Sequence, residues 1–350
     1  MRHTQRSNHA VPRLLIAAIA FMTVIILFAP RLGEAAPNFA WASIDQQVGQ
    51  IAPESNLLVA EFAGGGCRTI HAVNASDQLA IASVFKLYVL GELARQIQTG
   101  EVTWDEKITL TDDLRSMPSG DYAWVPAGQQ VTVRQLAEGM IWQSDNTATD
   151  HLIHRLGREN VERAFAAYGH ADPEANQPLL LTRELFAIKM WQPADWISRY
   201  VAASDEEQLA LLTADIDGRA INPSGGWGQW SGPMAIDGVE WFASAEDLCR
   251  VMVGLWTMGA QPGLEPVRDI LTGNRGGIVD TATWPRAGVK NGFEAGVVSS
   301  AWVMERSDGR VFFVTAVFNH PTQVIPDSAP GAVLAPVFGC LATYQQPGDC

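Results

Sequence analysis

Ser83 and Lys86 stand three residues apart within residues 78–100, QLAIASVFKLYVLGELARQIQTG, and a helix there would set both side chains on one face, one turn apart. The pattern predicts that helix from about Ser83 to Gly100, a residue suited to the left-handed turn just past a helix end. Between Val84 and Leu93 only Lys86, Gly91 and Glu92 interrupt an apolar run, which places the helix at the centre of a domain. A buried ammonium is costly unless paired or deprotonated. A serine at the start of such a helix, with a desolvated lysine below it, has the parts of a nucleophile and its base. The competing reading is a chance Ser-x-x-Lys whose lysine snorkels outward.

Two further stretches carry related chemistry. Ser144-Asp145-Asn146 falls at the junction of two expected helices, and Lys290-Asn291-Gly292 leads into the first strand of an expected C-terminal hairpin. In order and spacing the three stretches resemble the serine, SDN and KTG elements of the penicillin-recognising enzymes, specifically the class A β-lactamases. The flanks IASVFKLYVLGEL, MIWQSDNTATDHLI and GVKNGFEAGVVSSAWV are similar too, and the resemblance covers most of residues 38–342. The chain has only four lysines, and two of them occupy these motifs.

The resemblance implies a β-lactamase/transpeptidase-like fold and acyl-enzyme chemistry. Ser83 Oγ would attack an amide carbonyl, and Lys86, held partly neutral by burial and by the second lysine's field, would take the proton. Ser144 would pass that proton to the leaving nitrogen, Asn146 would hold the substrate's amide side chain, and Lys290 would attract a carboxylate. The backbone N–H groups of Ser83 and Phe293 would form the oxyanion hole, with Gly292 leaving room for the approach.

Two departures from the family pattern bear on function. Asn291 stands where the family usually has a hydroxyl residue that binds the substrate carboxylate, and its amide can also donate a hydrogen bond there. Asp172-Pro173-Glu174-Ala175-Asn176 partly echoes the loop that carries the family's deacylating glutamate, with aspartate in the glutamate's place. Glu184 is another candidate base, so Asp172, Glu174, Glu184 or no base at all remain open. Three functions are carried forward: a β-lactam hydrolase, a cell-wall D,D-peptidase or other amide or ester hydrolase, and a catalytically silent binding module. The expected partner is a small-molecule β-lactam or a peptidoglycan-like peptide, acting on a monomer without a cofactor.

The elements that must position these residues are legible from periodicity. Phe39, Trp41, Ile44, Val48 and Ile51 mark an amphipathic helix ended by Pro53. Residues 57–62 and 68–73 read as a hairpin with a loose turn at Gly64-Gly65-Gly66. The middle of the chain is expected to stay helical for about 170 residues. Its signals are a capping box at Thr132–Gln135 and helices ending at Gly157 and Gly169. A helix over 182–191, one capped by Ser204 with Asp205-Glu206-Glu207, and one from Ser244 to Met258 complete it. Residues 296–305 and 310–319 alternate apolar side chains around the turn Ser307-Asp308-Gly309. A hairpin alone is marginal, so the two hairpins are expected to share one antiparallel sheet built from both chain ends. The fold class is therefore α/β (α+β), with flanking helices and an inserted all-helical lobe; a closing helix over 331–343 is expected to break at Pro336. A Trp-rich insertion around 191–241, holding five of the chain's twelve tryptophans, either packs a subdomain or lines a cleft.

Composition bounds the rest. Residues 1–35 read as a signal peptide: a basic leader, a 16-residue apolar run from Leu14 to Ala29, and small residues Gly33 and Ala35 before the cut. An uncleaved N-terminal anchor is the alternative. Removing the leader takes away four arginines and one glutamate, leaving 20 basic and 37 acidic residues and a net charge of −17. That argues against nucleic acid or an anionic membrane as a partner. A secreted, periplasmic or cell-envelope location follows, with residues 36–350 as one hydrolase domain. Cys67, Cys249, Cys340 and Cys350 allow three complete pairings. Cys340 and Cys350 suit a short terminal loop, and Cys249 could equally be a buried free thiol. His151 and His154 sit one turn apart beside Asp150, which reads as an exposed helix face and not as a zinc site lacking its third ligand.

Overall fold

The structure is a computed structural model and describes residues 39–217, 232–277 and 280–350. The leader at 1–35 and residues 218–231 of the Trp-rich insertion lie outside the described residues. In chain order the strands are β1 (Glu54–Ala63), β2 (Gly66–Val73), β3 (Leu79–Ala80), β4 (Lys107–Thr109), β5 (Gln130–Thr132), β6 (Phe242–Ala243), β7 (Arg286–Glu294), β8 (Val297–Glu305) and β9 (Val311–Asn319). The α-helices are α1 (Trp41–Ile51), α2 (Lys86–Gln98), α3 (Val133–Trp142), α4 (Asn146–Leu156), α5 (Arg158–Ala167) and α6 (Thr182–Trp191). They continue with α7 (Ala194–Val201), α8 (Asp205–Asp215), α9 (Ala245–Met258), α10 (Glu265–Gly273) and α11 (Gly331–Thr343).

The main sheet is antiparallel in the order β2-β1-β9-β8-β7, so both chain ends build it, as expected. The two hairpins join through β1 and β9, where Leu57 faces Ala316 and Val59 faces Val314. Side chains alternate between the faces of a strand. Leu58, Ala60 and Phe313 accordingly join the core shared with the helical lobe, while Leu57, Val59 and Phe312 join the core under α1 and α11. The first hairpin turn is tighter than expected: Ala63 pairs with Gly66, and Gly64 and Gly65 have φ of 62° and 80°, the left-handed geometry of a two-residue turn.

The helices follow their caps. Thr132–Gln135, Ser204–Glu207 and Ser244–Asp247 form capping boxes in which side chains satisfy orphan N–H groups. Gly100, Gly157 and Gly169 have positive φ at helix ends. Several expectations need correction. The helical middle is interrupted between α2 and α3 by an extended segment and the β4–β5 ribbon, and α7 and α10 were not foreseen. Both begin beside a proline, which is tolerated at a helix start and there marks a beginning, not a stop. α11 runs through Pro336 without breaking, because Pro336 and Ala332 face solvent and water can satisfy the carbonyl that proline cannot.

Cys67 of β2 is bonded to Cys249 of α9, tying the sheet to the helical lobe, and Cys340 to Cys350 closes the terminal loop. Cys249 is thus not a free thiol. His151 is buried, with Nδ1 2.7 Å from Thr147 O and Nε2 accepting from Thr111 N at 3.0 Å; only His154 is exposed. The pair is therefore split between core and surface by the width of the α4 face. No helix among the described residues is long and apolar enough to cross a membrane.

Candidate active site

Ser83 lies where the helical lobe meets the edge of the sheet. The expected single helix is divided: Ala82–Phe85 is a 3₁₀ turn, and α2 proper begins at Lys86. Ala82, just before the serine, has φ of 44°, a strained conformation for a residue with a side chain. Tertiary bonds hold it there. Ser299 Oγ donates to Ile81 O at 2.6 Å, Ile81 N donates to Trp241 O at 2.8 Å, and Phe85 stacks on Trp241 with centroids 3.8 Å apart. Ser83 itself is half-buried, and its N–H belongs to the group that a helix start leaves without intrahelical partners.

The third motif is itself part of edge strand β7 and does not merely lead into a strand. Its glycine is required by contact: a Cβ on Gly292 would sit 2.3 Å from Ile81 O and 3.0 Å from Ser83 N. Val289 N donates across the open edge to Asn274 O at 2.9 Å. Alternation along a strand then turns the N–H groups of Asn291 and Phe293 to that same edge. Two backbone donors, Ser83 N and Phe293 N, therefore flank one stretch of edge. The side chains alternate as well. Lys290 and Gly292 face the helical lobe, whereas Asn291 and the 44 % exposed Phe293 border a cavity of about 240 Å³ with Ser300, Trp302 and Gly331, beside α11.

Ser144 is the meeting point of the polar groups. Lys86 Nζ lies 3.2 Å from Ser144 Oγ and donates to Ser144 O at 2.7 Å and Asn146 Oδ1 at 2.6 Å. Lys290 Nζ donates to Ser144 Oγ at 2.9 Å and to Asn291 O at 2.6 Å. Among the described hydrogen bonds none joins Lys86 to Ser83 Oγ. Burial brings the Lys86 ammonium down to about 7, with the charges of Asp145 and Asp150 opposing. Lys290 is pushed well below the usual lysine range by burial and then by the charge of Lys86. The repulsion between the two lysines is mutual and disfavours both being charged at once.

The loop carrying Ser144 is strained and pinned. Ser144 has φ of 57°, and Asp145 caps α4 by accepting from Ala148 N at 2.8 Å while its other oxygen accepts from Tyr122 N at 2.8 Å. Gly120, with φ of 94°, has Asp145 Oδ2 only 2.0 Å from where a Cβ would be. Asn146 is anchored through Nδ2 to Met117 O at 3.2 Å. One turn on, the buried Asp150 accepts from Thr182 N, Thr182 Oγ1 and Arg183 N, and burial raises it to about 7 against those bonds. Sequence reasoning missed Asp150 and Thr182; the signal was the spacing of four from Asn146, which puts Asp150 on the same helix face.

The three candidate bases have their described partners elsewhere or face solvent. Glu184 is fully buried, paired with Arg158 and accepting from Leu181 N at 2.7 Å. Glu174 and Asp172 are exposed on the loop before α6. None has a described hydrogen bond to Ser83, Lys86 or Ser144, and Thr182, at the start of α6, is what meets Asn146 O at 3.3 Å. Among the described residues no group of three His, Cys, Asp or Glu is placed to hold a metal. Of the insertion's tryptophans, Trp241 and Trp196 are buried and pack, and Trp191 is 41 % exposed.

Several solved structures share this fold. PBP-A is 18 % identical with a TM-score of 0.57, covering 89 % of this chain and 100 % of that one. A β-lactamase from Sphaerobacter thermophilus DSM 20745 is 17 % identical with a TM-score of 0.61, covering 87 % and 99 %. A mutant of PBP-A in an acyl-enzyme complex with penicillin G is 18 % identical with a TM-score of 0.56, covering 88 % and 100 %. At such identities the likeness concerns the fold. No curated protein matches the sequence significantly. The model of the β-lactamase enzyme family matches residues 58–274, well over half of the chain, a span that holds Ser83, Lys86, Ser144 and Asn146 and ends before Lys290. This chain belongs to the β-lactamase enzyme family.

Proposed function

We propose that the chain is an exported serine hydrolase that opens an amide, of the β-lactam class, through an acyl-enzyme on Ser83. The observation that carries this is Ser144 Oγ, held between Lys86 and Lys290 beside an edge flanked by Ser83 N and Phe293 N. With Lys86 near 7, a large share of it is neutral at physiological pH and able to accept the Ser83 proton. Ser83 Oγ bonds to the carbonyl carbon, and the carbonyl oxygen takes the negative charge against the two N–H groups. The C–N bond then breaks as Ser144 gives its proton to the nitrogen and regains one from Lys86. Lys290 sits where a substrate carboxylate would restore its charge, and Asn146 would turn its amide from Lys86 to the substrate. Export is supported by the leader and by two disulfides, which suit an oxidising compartment.

The second half of the reaction sets the alternative. Among the described residues Glu184 is committed to Arg158, Glu174 and Asp172 are exposed, and none of the three has a described hydrogen bond to Ser83, Lys86 or Ser144. This favours a long-lived acyl-enzyme, as in a D,D-peptidase-like or acyl-trapping protein. Incubating the full chain with a chromogenic β-lactam, while following turnover and intact mass, distinguishes the two. A stable adduct with little turnover supports the slow-release form, sustained turnover supports a hydrolase with another base, and no adduct contradicts both.

A further inference from the structure

Three ionisable side chains outside this chemistry meet at the end of β7. Lys189 of α6 donates to both oxygens of Glu294, at 2.7 and 2.9 Å, and lies 3.3 Å from Glu240 Oε1. The Lys189 and Glu240 side chains are fully buried, and that of Glu294 is 3 % exposed. One ammonium facing two carboxylates would bury a net negative charge, which is costly. The Glu294 carboxyl is accordingly pushed well above its usual range by burial and by the charge of Glu240, with Lys189 opposing.

Each carboxyl is tied to one side of the oxyanion edge. Glu294 directly follows Phe293, whose N–H faces that edge, and it ends β7. Glu240 Oε2 accepts from Trp241 N at 3.0 Å. Trp241 O in turn accepts from Ile81 N at 2.8 Å, and its ring stacks on Phe85, so residues on both sides of Ser83 rest on Trp241. Among the described residues the Lys189 ammonium joins the two carboxyls and so links these two arms, alongside the approach of Gly292 and Ser299 to Ile81. We propose that Lys189, Glu240 and Glu294 form a positioning cluster that sets the spacing of the Ser83 and Phe293 N–H groups and thereby the rate of acyl transfer. The inference rests on the Ser83 acyl-enzyme reading.

The test compares the full chain with Glu294→Ala and Glu294→Gln, using stopped-flow acylation by a chromogenic cephalosporin and labelling by a fluorophosphonate. Glu294→Ala is expected to lower the limiting acylation rate about 100-fold, the scale of losing one oxyanion donor. The apparent dissociation constant should stay within about threefold, since the edge that binds substrate is still present. Glu294→Gln keeps an acceptor for Lys189 and a donor for Glu240, and is expected to restore the rate to within about threefold of the full chain. Should Glu294→Ala fail to fold, Glu294→Asp, which shortens the reach by one methylene, carries the same expectation of a slowed limiting rate. An unchanged rate in the folded Ala or Asp variant overturns the inference alone, as does an equal loss in the Gln variant. A full chain that reacts with neither reagent overturns the acyl-enzyme reading and this inference with it.

Discussion

Lys86 Nζ lies 3.2 Å from Ser144 Oγ, and that same oxygen accepts from Lys290 Nζ at 2.9 Å. Two fully charged ammonium groups on one buried hydroxyl would repel, and burial resolves the conflict by lowering both lysines. Acylation needs Lys86 in its neutral form, so its limiting rate should rise as pH passes through about 7. Between pH 6 and pH 8 the neutral fraction grows about tenfold, and the rate measured at saturating substrate should follow it. A rate flat across that range would remove Lys86 from the role of base.

Ser144→Ala removes the hydroxyl that bridges the lysines while leaving the Asp145 cap and the Asn146 anchors in place. The limiting acylation rate should fall by about 10²–10⁴, the usual worth of a positioned proton donor. Thermal unfolding should move little, because Ser144 O, the backbone partner of Lys86, survives the change. Acylation at the normal rate would mean that the leaving nitrogen takes its proton elsewhere.

Gly292→Ala tests the close approach of β7 to the serine turn. The added Cβ would meet backbone, Ile81 O at 2.3 Å, which cannot swing aside as a flexible side chain could. Overpacking of this kind costs about 1–3 kcal/mol, and the displaced edge should also slow acylation. A variant with unaltered melting temperature and acylation would show that β7 stands further from Ser83.

Glu184→Gln separates structure from catalysis. Glu184 is buried against Arg158, and removing one partner of such a pair destabilises by on the order of 3 kcal/mol. The lifetime of any Ser83 adduct should be unchanged in this variant and in Glu174→Gln. Denaturant melts and the decay of the adduct mass check the two halves separately, and a lengthened lifetime in either variant would return that glutamate to the deacylation step.

Much of this arrangement was legible in the chain because its signals are local. The capping boxes, the left-handed glycines and the alternating C-terminal strands each declare themselves within a few residues, and the three motifs came with their flanks. The shared sheet followed from the weakness of isolated hairpins, and β1–β9 pairing bears it out. What was missed depends on distant partners. Asp150 meets Thr182 across 32 residues, and Lys189 meets Glu294 across 105, so neither contact has a sequence pattern. Glu184 is a candidate base from the sequence despite its longer spacing; only the fold shows it paired with Arg158. Asn291 looked like a substrate contact, and the strand's alternation turns its side chain toward the α11 face instead.

The central claim is that Ser83 carries an acyl group. The most direct measurement is intact mass spectrometry of the full chain and of Ser83→Ala after incubation with penicillin G, with peptide mapping of any adduct. The account predicts one added penicilloyl mass on the peptide containing Ser83, persisting for many times the acylation half-life, and none on the variant. Modification of Ser83→Ala at the same rate, or an adduct mapped to another residue, would contradict it.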